Sequence, residues 1–258
     1  MLARDFTLSG YRQLCQTIQA ASYSTWPIVQ YLTCQEHPEK LVLLRHDVDR
    51  RPEAALRMAQ LENEAGIHST YYFRSVSGVF KPGIIKEISS LDHEIGYHYE
   101  TLSMTHGNRE AAIKLFEQEL NQFRQICKIE TISMHGSPLS PFDNRDLWKT
   151  YDFHNFGLVG EAYLSLDYNR LTYITDTGRS WGDNSYNLRD KVAQKKIGIP
   201  LKSTNDLIKA FNNQYFTQIC ITAHPNRWSH TNAEWLFNLI SDGLANQAKL
   251  IIRFLRGK

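Results

Sequence analysis

The sequence predicts a single α/β domain whose parallel strands close, or nearly close, into a (β/α) barrel. Short apolar runs alternate with longer amphipathic ones along most of the chain, the pattern of a parallel sheet with helical crossovers. Seven or so such units fit in 258 residues, a length that one α/β barrel routinely takes. No internal repeat, low-complexity segment or linker divides them. Residues 1–258 therefore read as one domain, with residues 1–40 as an N-terminal helical flank.

The flank reads as a helix over residues 7–32 with a break near Pro27. A compact apolar run over 41–45 is the first strand. The helix behind it starts near Pro52, which suits a first turn, and ends near Ala65, where Gly66 suits the stop. Residues 69–74 (STYYFR) are rich in β-formers, and a helix over about 82–91 follows. Residues 94–99 form a third strand with a helix from 109 to about 127, and residues 131–134 a fourth. Residues 156–166 and 171–175 supply one or two more. A helix capped near Ser203 or Thr204 runs to about Phe211, residues 218–223 are the last clear strand, and 232–246 are helical.

Apolar residues make up 42% and charged residues 22%, ordinary for a protein with a sizeable core. A net charge of +2 with no long basic run gives no electrostatic case for nucleic acid. Near the end, Lys249, Arg253, Arg256 and Lys258 interleave with Leu250, Ile251, Ile252, Phe254 and Leu255, which reads as a terminal helix or strand with one solvated face. Cys15, Cys34, Cys127 and Cys220 form no CxxC pair, and three of them sit among apolar neighbours, where a reduced cysteine packs as a small hydrophobe. No apolar signal-peptide core opens the chain, and no stretch approaches the length of a membrane span. The expectation is a protein of the reducing cytoplasm.

The polar residues fall at the strand ends. Arg45, His46, Asp47 and Asp49 follow the first strand and Arg74 the second; His98 and Glu100 end the third, and His135 the fourth. Asp176 closes the 171–175 strand and His224 the last. In a barrel all these carboxyl ends lie on one face, where βα-loops build active sites. Asp47 and Asp49 are two apart, so on extended chain their side chains leave the same face. Two carboxylates in one cleft repel unless a cation or a shared proton relieves them. A divalent metal with imidazoles from the same rim is the economical solution, and two His plus one carboxylate with an open position is a hydrolytic site. Taken singly, each residue has a plain structural explanation: a D-x-D pair caps a helix, Asp176 caps a turn, His224 ends a strand before Pro225. His37, His68, His93, His154 and His230 keep such explanations.

The segments LRHDVDRRPEAALRMAQLENEAGIHSTYYFR, HEIGYHYETL, ISMHGSPLS and ITAHPNRW, in this order, resemble the polysaccharide deacetylase (NodB-homology, carbohydrate esterase) superfamily, in its branch with an H-D-V-D first motif. The resemblance covers nearly the whole chain and implies a distorted (β/α) barrel of about seven strands, NodB-like. By position it implies Asp47 as catalytic base, Asp49 as carboxylate ligand, His98 as histidine ligand and His224 as general acid, with Asp176 orienting that histidine. Trp228 and Trp181, with Arg179 nearby, are expected to wall the substrate pocket. One divalent metal ion is implied, with Zn²⁺ first among candidates.

Two departures stand out. The usual second motif is H-x-x-x-H, but Leu102 occupies the position four after His98. His135, His106 or Glu100 must supply the third ligand, and His135 is preferred because Gly136 lets the backbone turn at that strand end. The usual third motif carries an arginine that pairs with the base, and Gly136 stands near its place; Arg74 or Arg45 could substitute. The resemblance then implies a metal-dependent hydrolase acting on carbon–nitrogen bonds other than peptide bonds. It would remove an acetyl or similar group from an amino sugar or related small molecule, in the building of a surface polysaccharide. A different amide or ureide hydrolysis on the same site, and an inactive sugar-binding protein, are the alternatives.

Overall fold

The computed structural model describes residues 4–137, 139–181, 192–193 and 197–255, with side chains as far as residue 251. Thr7 opens helix α1 (Leu8–Ala20), its hydroxyl accepting the Gly10 N–H. Ser22, at φ 59°, ends it. The flank then forms a two-residue strand β1 (Ser24–Thr25) and a short helix α2 (Ile28–Thr33). It is therefore not one broken helix, because β1 pairs in parallel with the first long strand. That strand, β2 (Leu41–Val48), is buried at every residue. Then come α3 (Pro52–Glu64), β3 (Thr70–Phe73), α4 (Pro82–Ser90), β4 (Glu94–Tyr99), α5 (Thr101–Met104), α6 (Arg109–Arg124) and β5 (Thr131–Met134). The last elements are β6 (Gly160–Glu161), β7 (Thr172–Thr175), α7 (Thr204–Asn212), β8 (Gln218–Ala223) and α8 (Asn232–Leu255).

The strands lie in the order β6-β5-β4-β3-β2-β8-β7, every neighbouring pair parallel, with β1 set against β2. The sheet curls into a half-barrel flanked by helices, the distorted (β/α) barrel that the sequence predicts. Three differences from the sequence reading matter. β2 runs on through Val48, because pairing with β3 continues to Val48 opposite Phe73. Asp47 is therefore a strand residue and not a loop residue. The expected strand over 156–166 shrinks to Gly160–Glu161, since the Glu161 carboxylate accepts the N–H groups of Tyr163 and Leu164 and turns the chain there. The last helix continues to Leu255; Arg256 and Lys258 lie outside the described residues.

β2 serves both layers of the core. Leu41 and Leu43 join one apolar cluster, and Val42 and Leu44 the other, as the two-residue period of a strand requires. Continuing the alternation, Arg45 and Asp47 point with the first set and His46 with the second. On the first side Gly96 of β4 is essential, because a Cβ there would meet the Tyr72 ring at 2.2 Å. Its absence lets Tyr72 lie across the sheet, hydrogen-bonded to Thr131 and 5.4 Å from the Arg45 guanidinium.

On the second side sits Glu62, a carboxylate with no exposure. One oxygen accepts from Tyr11 of α1 and from His46 Nε2 at 2.7 Å; the other accepts from Ser69 and Tyr71, each at 2.7 Å. Four donors from two strands, a helix and a loop thus meet on one group from α3. Burial pushes the Glu62 carboxyl up, but His46, His93 and Tyr11 outweigh it and hold it down at about 2.

A folded value of about 2 against an ordinary 4.5 means that ionised Glu62 stabilises fully above pH 4.5 and that this stability is lost as pH falls toward 2. Glu62→Gln should cost on the order of 3 kcal/mol at neutral pH, since its amide presents donors to donors. Its melting temperature should also fall less than that of the parent between pH 4.5 and 2. Equal melting temperatures at pH 7 would show that Glu62 does not hold these layers together.

Candidate active site at the carboxyl ends of the strands

The rim residues converge around Asp49. Arg45 and Asp47, two apart on β2, form a buried ion pair with both forks engaged: Nε to Oδ1 at 2.8 Å and Nη2 to Oδ2 at 2.7 Å. Nη2 also donates to Ser133 of β5 at 2.5 Å, and the guanidinium lies 4.2 Å from the Tyr163 ring centroid. Burial pushes the Asp47 carboxyl up, but Arg45 and then His98 pull it further, so it stays below its ordinary value.

His98 of β4 brings Nε2 to 3.4 Å from Asp49 Oδ1 and 3.8 Å from Asp47 Oδ2. Its Nδ1–H donates to the Ser133 carbonyl at 3.0 Å, so in the neutral ring Nε2 carries the lone pair. His135, following β5, brings Nε2 to 3.6 Å from the same Asp49 oxygen, and its Nδ1–H donates to Glu100 at 2.8 Å. Glu100 is committed further to Ser137 and Arg74, and burial, which raises its carboxyl, is outweighed by His135 and Arg74, which hold it at about 2. Burial lowers the His135 imidazole, but Asp49 and Glu100 raise it by more. For Asp49 itself, burial raises the carboxyl while His135, His98 and His224 keep it well below the usual range.

Across the site, His224 brings Nε2 to 3.9 Å from Asp49 Oδ2. Its Nδ1–H donates to Asp176 at 2.6 Å, and its backbone N–H donates to the other Asp176 oxygen. Arg227 and the Trp228 indole N–H also donate to Asp176. Burial raises that carboxyl, and His224 and Arg227 together bring it below its ordinary value.

The structure thus brings Asp47, Asp49, His98, His135, His224 and Asp176 together, and distributes the remaining candidates differently. Arg74 does not meet Asp47; it pairs with Glu100 and donates to the Asp49 backbone carbonyl. Arg45 holds Asp47 instead, because only a residue two back on the same strand lies beside it with its fork in plane. Trp181 and Trp228 are 3% and 1% exposed and pack with Phe6, so they offer no ring to a substrate. Trp228 acts through its hydrogen bond to Asp176. Arg179 reaches toward the Arg227 carbonyl, the Asp5 carbonyl and Asp242, pinning loops rather than facing the rim centre. His106 is exposed in a left-handed turn at φ 51°. Arg227 was not anticipated, although its place three after His224 is the signal that could have found it.

Asp49 Oδ1 is buried and has no hydrogen-bond partner. Among the described residues no three His, Cys, Asp or Glu side chains stand ready-made as a metal cage. Yet ligands about 2.0–2.1 Å from a tetrahedral zinc lie roughly 3.3 Å apart, and the two Asp49–imidazole separations of 3.4 and 3.6 Å exceed that by tenths of an ångström. Both rings are also oriented through Nδ1 by an acceptor, the usual support of a metal-binding histidine. Asp49, His98 and His135 could therefore hold a divalent ion.

No family model matches the chain, and no curated protein matches it. Among solved structures it is similar to a CE4 family pseudoenzyme from Bacillus anthracis, at 14% identity and a TM-score of 0.46, over 87% of this chain and 66% of that one. A mutant of that pseudoenzyme with restored enzymatic activity is similar at 15% identity and a TM-score of 0.41, over 88% of this chain and 68% of that one. Bacillus subtilis PdaA, a family 4 carbohydrate esterase, is similar at 16% identity and a TM-score of 0.39, over 89% and 82%. The chain spans just under two thirds of the length of the first of these.

Metal content tests the ligand assignment. Asp49→Ala, His98→Ala and His135→Ala should each lose stoichiometric zinc after dialysis while His106→Ala retains it, and Glu100→Gln should weaken binding about 10–100-fold. Full occupancy in His135→Ala would remove His135 from the set.

Proposed function

We propose that this chain is a metal-dependent hydrolase that removes an acetyl or similar acyl group from an N-acylated amino sugar or related small molecule. The observation that carries this reading is the buried, unpartnered Asp49 Oδ1 faced by Nε2 of both His98 and His135. A divalent ion held there, Zn²⁺ first by its taste for nitrogen and oxygen donors, would polarise the acyl carbonyl and make water a nucleophile at neutral pH. Asp47 accepts the proton of the attacking water. Arg45 occupies one hydrogen-bonding direction on each of its oxygens, and a carboxylate has about two per oxygen, so acceptor capacity remains. Arg45 also keeps Asp47 ionised and fixed in orientation.

His224 supplies the proton that an amine needs in order to leave. Its Nδ1 is tied to Asp176, which leaves Nε2 for the reacting centre. Arg227 and Trp228 hold Asp176 in place, so the imidazole cannot swing out of line. A positioned acid matters for amides and little for activated esters, which favours N-acyl substrates. A sugar-binding protein without turnover is the second reading. It is favoured by one feature, Leu102 at the position where the second motif usually carries a histidine.

Release of acetate from N-acetylated amino sugars by the zinc-loaded protein decides between the two readings. Asp47→Asn should keep the metal and lose turnover on the order of 10²-fold or more. His224→Ala should slow amide substrates far more than activated esters. Equal slowing of both would move the acid elsewhere, and a zinc-loaded protein that binds sugars and releases nothing would leave the second reading.

A further inference from the structure

Helix α8 is amphipathic in the inverted sense. The face packed on the protein is polar: Asn238 meets Arg51 and the Asn226 carbonyl, Asp242 faces Arg179, and Asn246 donates to the Gly178 carbonyl. These residues are four apart, one stripe of a helix. The face turned to solvent is apolar, with Leu236, Phe237, Leu239, Ile240, Leu244 and Ile251 between 43% and 69% exposed. An ordinary surface helix does the opposite.

The contacts of α8 also fix where it lies. Arg51 follows β2, Gly178 and Arg179 follow β7, and Asn226 follows β8, so α8 crosses the carboxyl-end rim beside the candidate active site. Three more exposed apolar side chains, Met104, Leu139 and Leu164, stand in the segments after β4, β5 and β6, on the other side of the same rim. Of the ten large exposed apolar residues among those described, only Tyr215 lies away from this face, in the turn entering β8. The mouth of the site is thus bordered by apolar side chains on both flanks. An exposed patch of this extent marks a binding surface.

We propose that this face docks on an anionic lipid surface. Arg50 and Arg51 are exposed next to it, with the Arg51 guanidinium 5.0 Å from the Phe237 ring. After Asp242, which is buried, α8 carries Lys249 and Arg253 and no acid. The segments flanking Met104 (TLSMTHGN) and Leu139 (GSPLSPF) hold no lysine, arginine or carboxylate to desolvate. Apolar side chains edged by cations are the composition of an interfacial helix, which lies in the headgroup layer instead of crossing it. No described helix is long and apolar enough to cross a membrane. Joined to the hydrolase reading, on which this clause alone rests, docking would present an amphiphilic substrate whose acylated amino group projects from the lipid surface into the rim.

Vesicle co-sedimentation tests the docking without requiring metal or turnover, so its failure is separate from failure of the hydrolase reading. The protein should bind phosphatidylcholine vesicles containing about a quarter phosphatidylglycerol, bind pure phosphatidylcholine less, and dissociate as salt rises. The double variant Ile240→Asp, Leu244→Asp should lower the partition coefficient by at least ~10-fold, while Tyr215→Ser binds as the parent does. Circular dichroism establishes that both variants are folded; Leu139→Asp, on the other flank, provides an independent second loss. Absence of binding by the parent, or equal loss in Tyr215→Ser, overturns the proposal. So does a stable dimer in light scattering that Ile240→Asp, Leu244→Asp converts to monomer without any vesicle binding by the parent, which would assign the face to a second copy of the chain.

Discussion

The buried guanidinium of Arg45 is the contact on which the rest of the rim depends. Removing two ions from water costs several kcal/mol each, and the cost is offset only when geometry is good and the remaining polar atoms are satisfied. Arg45 meets most of those terms with two hydrogen bonds to Asp47, one to Ser133 and the flanking rings of Tyr72 and Tyr163, while its Nη1 is buried without a hydrogen-bond partner. Ser133 in turn receives His98 at its carbonyl. One cation on β2 therefore fixes a carboxylate on its own strand and, through β5, the imidazole of β4.

The same strand carries a second polar assembly on its reverse side. His46 lies between Arg45 and Asp47 in sequence but points at Glu62, together with Tyr11, Ser69 and Tyr71. Because side chains alternate along a strand, the two assemblies do not compete for space. Stability and site are coupled through the β2 backbone, since Glu62 clamps α1 and α3 onto the strand that presents Asp47 and Asp49, and through Tyr11, whose ring lies 4.9 Å from that of Trp228, the donor to Asp176. Buried polar networks of this kind stabilise most when their members find partners: four donors meet on Glu62, while His46 Nδ1, on the other side of its ring, is buried without one.

Around Asp49 the three histidines are each oriented by an acceptor behind the ring. A backbone carbonyl serves His98, Glu100 serves His135 and Asp176 serves His224. Each acceptor fixes the ring so that Nε2 faces the Asp49 carboxylate. Arg74, paired with Glu100 and touching the Asp49 backbone, braces the loops that carry two of these groups.

The sequence by itself determined the parallel α/β architecture, the strand ends as the place where chemistry collects, and the D-x-D pair as its centre. Those features are written in local periodicity and in residues that share one strand, where spacing dictates direction. Arg45 could have been chosen over Arg74 on the same grounds, since position i−2 on β2 shares a face with Asp47. Only the tertiary structure decided what depends on the packing of one loop on another. It set His135, rather than His106 or Glu100, beside Asp49, and it gave Arg227 and Trp228 to Asp176. It also buried both tryptophans expected at the substrate pocket. The inverted face of α8 belongs here too: periodicity reveals that a helix has two faces, but which face meets the protein depends on the partners waiting on it, here Arg51, Arg179 and two backbone carbonyls that only polar side chains can satisfy.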